Sequence, residues 1–89
     1  MSWKIEVSPG AEKDLGRINA VARTRILKFL TDRLALRDNP RQLGEALVGK
    51  KYEGLWKYRV GDYRILVEIK DKTVTILVVE VGNRREVYR

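Results

Sequence analysis

Cysteine and histidine are both absent from this 89-residue chain. Without cysteine there is no disulfide, no thiolate nucleophile and no zinc–thiolate site, a composition that suits a reducing cytoplasm. Without histidine, proton transfer falls to Lys, Arg, Tyr or a carboxylate, and a histidine-based ribonuclease mechanism is excluded. No stretch approaches the roughly 18 consecutive apolar residues that a membrane span needs. Met1-Ser-Trp-Lys-Ile-Glu-Val7 also lacks the basic segment and apolar run of a signal peptide. The expectation is a cytoplasmic protein with no membrane partner. Internal repeats, low-complexity segments and linkers are missing too, so residues 1–89 read as one domain with one modest core.

What the chain has in excess is positive charge. Nineteen Lys and Arg stand against twelve Asp and Glu, a formal net charge of +7, which favours a polyanionic partner such as nucleic acid. The excess is spread over both halves, so the placement of the cations must decide what they do.

Trp3-Lys-Ile-Glu-Val7 alternates apolar and charged residues and predicts a strand with one face buried. Ser8-Pro9 is a helix start, Ser8 as N-cap and Pro9 at the first helical position, with Glu12 and Asp14 favourable near the positive end of the helix dipole. Ala11, Leu15 and Ile18 recur at helical spacing, and Gly16 among them suggests close packing against a neighbour. After the joint Asn19-Ala20, a second amphipathic helix carries Ala22, Ile26, Phe29, Leu30 and Leu34 on one face, making an αα-hairpin that Asp38-Asn39-Pro40 ends. Arg41 to Lys51 is a connector with room for a helical turn. Three strands then follow as an antiparallel meander, turning at Val60-Gly61-Asp62 and at Lys70-Asp71-Lys72. Val74 to Val79 holds one polar residue, as a central strand would. The expected fold is α+β: an N-terminal strand, an αα-hairpin and the meander, forming a four-stranded sheet with helices on one face and the other face open.

Period-two alternation sends Trp56, Tyr58 and Val60 to the core and Leu55, Lys57 and Arg59 to the opposite side. In the next strand Tyr63, Ile65, Val67 and Ile69 are core-facing, so Lys57, Arg59 and Arg64 can share the open face. Arg84, Arg85, Tyr88 and Arg89 follow the central strand, and together these residues would line a cationic groove. Such a groove suits RNA cleavage without a metal. Attack of a 2′-hydroxyl on the adjacent phosphate builds negative charge on the phosphoryl oxygens, and each well-aimed fixed donor is worth roughly 10²–10³ in rate. With no His or Cys ligands and no evident carboxylate cluster, no metal or other cofactor is expected. Tyr88 could stack on an unpaired base or orient a proton.

Gly54-Leu-Trp-Lys-Tyr-Arg-Val-Gly-Asp-Tyr-Arg-Ile65, a hydrophobic strand, and Val81-Gly-Asn-Arg-Arg-Glu-Val-Tyr88 together resemble the RelE branch of the RelE/ParE toxin superfamily, and the order of elements extends that resemblance over essentially the whole chain. The resemblance implies the toxin of a type II toxin–antitoxin pair. It would enter the ribosomal A site, cut the exposed mRNA codon and leave a 2′,3′-cyclic phosphate, with a RelB-like antitoxin as partner in a hetero-complex. Carried over by position, Lys57 and Arg59 match the basic pair that activates the nucleophile and holds the phosphate. Arg64 matches the arginine that stabilises the transition state, Arg84 the one near the leaving 5′-oxygen, and Tyr88 the tyrosine that orients the nucleotide. Lys50, Lys51, Arg85 and Arg89 would contact RNA and the ribosome. Arg59 departs from the family lysine and, being a poor base, leaves Lys57 the better proton acceptor. Asn83 stands where several relatives have histidine. Two other readings remain open: a ParE-like inhibitor that binds DNA gyrase without catalysis, and an RNA-binding module without cleavage.

Overall fold

The computed structural model describes residues 2–83. The alternating N-terminal stretch forms strand β1 (Lys4–Val7), and the chain then enters helix α1 (Pro9–Arg17). The Ser8 hydroxyl accepts from the Ala11 amide at 3.1 Å, with Pro9 in the first turn, satisfying one of the orphan donors of a helix start. Asn19 repeats the device for helix α2 (Ala20–Lys28), its side chain accepting from the Ala22 amide at 2.8 Å. The tight joint between the helices is held from the far side by Arg23, which donates to the carbonyls of Leu15 at 2.9 Å and Ile18 at 3.1 Å. A cation thus satisfies the last carbonyls of α1, where the helix dipole favours it.

α2 continues as a π-helical segment over Phe29–Leu34, marked by the Ala35 amide bonding the Leu30 carbonyl. Thr31 donates its hydroxyl to the Leu27 carbonyl at 3.0 Å, a back-bond that competes with the regular ladder. The helix therefore ends at Leu34, ahead of the Asp38-Asn39-Pro40 stop. Its widened turn keeps Leu30, Leu34 and Ala35 all buried.

Five strands rather than the expected four make the sheet, in the order β1-β5-β4-β3-β2. β3 (Leu55–Val60), β4 (Tyr63–Lys70) and β5 (Thr75–Asn83) form the antiparallel meander. β1 pairs parallel with β5, which therefore lies inside the sheet between β1 and β4, as its apolar run predicts. The extra strand, β2 (Glu45–Ala46), pairs antiparallel with Lys57 and Trp56 from within the connector. Two residues are too few to show an alternation, so composition could not reveal it. The connector also holds short 3₁₀ turns at Pro40–Leu43 and Lys50–Tyr52.

The core lies between the helices and one sheet face, where Ala11, Leu15, Ile26, Leu30 and Leu34 meet Tyr58, Ile65, Val67, Ile76 and Val78. Gly16 corrects an expectation: it is exposed, and a Cβ there would meet nothing within 4 Å. The contacts of α1 run through its other face, toward β5. Past Val78 that strand has lost β1 as its neighbour, and α1 covers the gap. Ser8 donates its amide to the Val78 carbonyl at 2.9 Å and its hydroxyl to that of Val79 at 3.3 Å. Asp14 accepts from the Val81 amide at 3.0 Å. An edge that would otherwise offer free backbone groups is thereby closed. Among the described residues no helix is long and apolar enough to cross a membrane.

Candidate nucleic-acid interface

On the sheet face away from the helices, the register brings Arg59 of β3 directly opposite Arg64 of β4, and Lys57 opposite Leu66. Like charges placed across an antiparallel pair are destabilising, so the sheet holds the two arginines together against their repulsion, which a bound anion would relieve. On the other side of Arg64 the register partner is Gly82, which contributes no side chain.

Lys57 is held differently. Its ammonium lies 3.3 Å from the Glu45 carboxylate, with the Lys57 side chain 17% exposed and that of Glu45 76% exposed. The short β2 pairing sets this contact by placing Glu45 opposite Lys57. β2 can approach so closely because Gly44 precedes it, and because the buried Tyr58 hydroxyl donates to the Pro40 carbonyl at 2.8 Å, fixing the connector against β3. Burial raises the Tyr58 phenol to about 12, and the nearby Arg41 cation opposes that rise. Arg41 itself forks onto Asp71 at 3.0 and 2.7 Å and lies 5.8 Å from the Trp56 ring, tying the connector to the β4–β5 turn.

The face expected to be open is not bare. Leu66 is 1% exposed, with Lys57 and Glu80 as its register partners on the two sides. Glu80 is half-buried. Its carboxyl is raised above the usual range by burial first and by the Asp14 carboxylate second, while Lys51 acts in the opposite sense. Lys51, on the exposed Lys50–Tyr52 turn with Lys50, thus projects its field onto the same face.

Of the residues singled out from sequence, Lys57, Arg59 and Arg64 come together, and Lys50 and Lys51 sit on the adjoining turn. Arg84, Arg85, Tyr88 and Arg89 lie outside the described residues. Sequence reasoning missed Glu45 and Glu80. Glu80 had a signal, since it interrupts the apolar β5; Glu45 had none, because its role depends on β2. Among the described residues no group of three or more His, Cys, Asp or Glu side chains is arranged to hold a metal ion.

A family model describing the ParE toxin of type II toxin–antitoxin systems matches residues 5–88. The chain belongs to the ParE toxin family. It is thereby a type II toxin of the RelE/ParE superfamily, as its motifs suggested. Several solved structures similar to this ParE-family chain are of RelE toxins. The RelBE2 toxin–antitoxin complex from Mycobacterium tuberculosis aligns with a TM-score of 0.85 at 22% identity, over 97% of this chain and 95% of that one. The archaeal RelE–RelB complex from Pyrococcus horikoshii OT3 gives 0.72 at 22%, over 98% and 100%. The isolated E. coli RelE toxin gives 0.68 at 22%, over 98% and 92%. At such identities the likeness is one of fold. No curated protein sequence matches the chain.

Proposed function

We propose that this toxin is an endoribonuclease that cuts mRNA on the ribosome, and that a RelB-like antitoxin restrains it. The observation that carries the reading is the cross-strand arrangement of Arg59 opposite Arg64, two residues along β3 from the Lys57–Glu45 pair. Two arginines opposite each other in register are suited to two oxygens of one phosphate. The neighbouring pair couples a carboxylate to an ammonium.

In this mechanism the 2′-oxygen attacks the adjacent phosphorus while its proton leaves toward the Lys57–Glu45 pair, and the bond from phosphorus to the 5′-oxygen breaks. Arg64 and Arg59 stabilise the charge that builds on the phosphoryl oxygens. The 5′-oxygen takes a proton from solvent or from a donor supplied by the chain after β5, where Arg84 and Tyr88 stand in sequence. The cations grip the phosphate, but alignment of the 2′-oxygen with the leaving group is a separate requirement. A codon held in the ribosomal A site meets it, so cleavage depends on the ribosome.

Membership of the ParE toxin family favours a second reading, inhibition of DNA gyrase by binding. Mapping mRNA 5′ ends in a reconstituted translation reaction separates the two. New ends within translated codons, appearing only with ribosomes, are expected. Intact mRNA together with inhibited gyrase supercoiling would overturn the nuclease reading.

A further inference from the structure

A second cationic surface lies on the helix side of the sheet. An open groove of about 330 Å³ runs between the helical segment and the end of β3, lined by Arg25, Lys28, Phe29 and Arg33 on one wall and by Arg59 on the other. It holds four cations and no carboxylate. The described ion pairs, Lys4–Glu6, Arg41–Asp71 and Lys57–Glu45, all lie elsewhere. None of the four groove cations is paired with a described carboxylate.

The groove is built rather than incidental. Arg25 and Lys28 follow helical spacing and fall on one face. Phe29 packs against Tyr58 with ring centroids 5.8 Å apart, and the Arg33 guanidinium lies 5.8 Å from the Phe29 centroid. That stacking limits where Arg33 can point. Arg25 lies over the β3–β4 turn, its guanidinium 3.6 Å from where a Gly61 Cβ would be. The side chains are thus partly ordered before any ligand arrives, despite their mutual repulsion.

We infer that this groove binds the phosphodiester backbone of a nucleic-acid strand, adding phosphate contacts to those of the Arg59–Arg64 face. Arg59 belongs to both surfaces, so one strand can pass from the sheet face around the end of β3 into the groove. A docked acidic protein would draw its affinity from apolar anchors at the rim. The large apolar residues exposed in the described chain, Val21, Leu27, Leu36 and Val48, do not line the groove. The inference rests on the nucleic-acid part of the proposed function and not on cleavage.

The probe is a fluorescent 2′-O-methyl strand of about 16 nucleotides, long enough for a single-strand site and unable to form a cyclic phosphate. Its affinity is measured by anisotropy over a range of salt for the full chain and for the combined variant R25A/K28A/R33A, with circular dichroism confirming that both are folded. The variant should bind at least tenfold more weakly at low salt. The slope of log K against log salt should flatten by about 2, three contacts at roughly 0.7 each. R25K/K28R/R33K should restore the slope. An unchanged slope and affinity in R25A/K28A/R33A would overturn the inference. So would polyglutamate binding the wild type as tightly as the strand does and losing as much in the variant, since the groove would then be a site for acidic protein. Because the strand cannot be cut, failure of the mRNA end-mapping experiment leaves this measurement unaffected.

Discussion

Gly44 stands so close to Tyr58 that a Cβ built on it would lie 2.7 Å from a ring carbon and 2.8 Å from the Lys57 carbonyl oxygen. The second neighbour is backbone and cannot swing away. Gly44→Ala should therefore push β2 off β3, costing about 1–3 kcal/mol, the usual range for overpacking. Thermal unfolding would show the loss, and cleavage should fall with it because Glu45 leaves Lys57. Unchanged stability would mean that the connector is not anchored where the structure places it.

Tyr58→Phe removes the hydroxyl that binds the Pro40 carbonyl, leaving a buried acceptor unsatisfied, at a cost of roughly 1–3 kcal/mol. The pH dependence is the sharper test. The phenol rises to about 12 in the folded protein from 10.0, so the folded state keeps a proton that the unfolded chain gives up. Stability from this group is full below pH 10 and is lost as pH rises toward 12. Wild-type melting temperature should fall over that window more steeply than that of Tyr58→Phe.

Asp71 titrates in the opposite direction. Its carboxyl is lowered from 3.8 chiefly by the hydrogen bonds from Arg41. The stabilisation is present above pH 4 and is lost as pH falls through the lowered value. Asp71→Asn should flatten the acid limb of the stability profile with little effect at neutral pH, because solvent screens an exposed ion pair.

Arg64→Ala should lower the rate of ribosome-dependent cleavage by about 10²–10³, the scale for losing one donor at a developing oxyanion, and Lys57→Ala by about 10²–10⁴, the scale for losing a positioned proton-transfer group. Ribosome association should persist. Glu45→Gln, which keeps shape and removes charge, should lower the rate and alter its pH profile without weakening association. Equal losses of rate and association would assign these residues to docking.

The apolar periodicities were legible because each reports burial on one face over many residues. Tyr58, Ile65 and Val67 in the strands and Leu15, Ile26 and Leu30 in the helices lie where alternation and helical spacing put them. The Ser8 cap was equally readable, being a local bond. What escaped depends on distant partners. Arg23 looks like any surface cation until the first helix turns back beneath it. Asp14 reads as a dipole partner, yet it accepts from Val81 across the fold. Gly16 invited a packing role and has no neighbour, since α1 meets β5 through its other side. At the candidate site, alternation placed Lys57, Arg59 and Arg64 on one face. The partnership of Lys57 with Glu45 required β2, which leaves no pattern in the sequence.

The parallel pairing of β1 with β5 joins nearly opposite ends of the described chain, Lys4 to Thr75. β5 separates β1 from the rest of the sheet, so a nascent chain that has emerged only through β4 has an N-terminal strand with no ladder to join. The helices would have half a sheet to cover. Such a partial chain lacks the strand that contributes Ile76 and Val78 to the core, and pairings this distant in sequence form late. During synthesis, then, the Arg59–Arg64 hairpin can form before the domain closes around it. The Arg59–Arg64 face becomes rigid only when β5 is threaded between its neighbours.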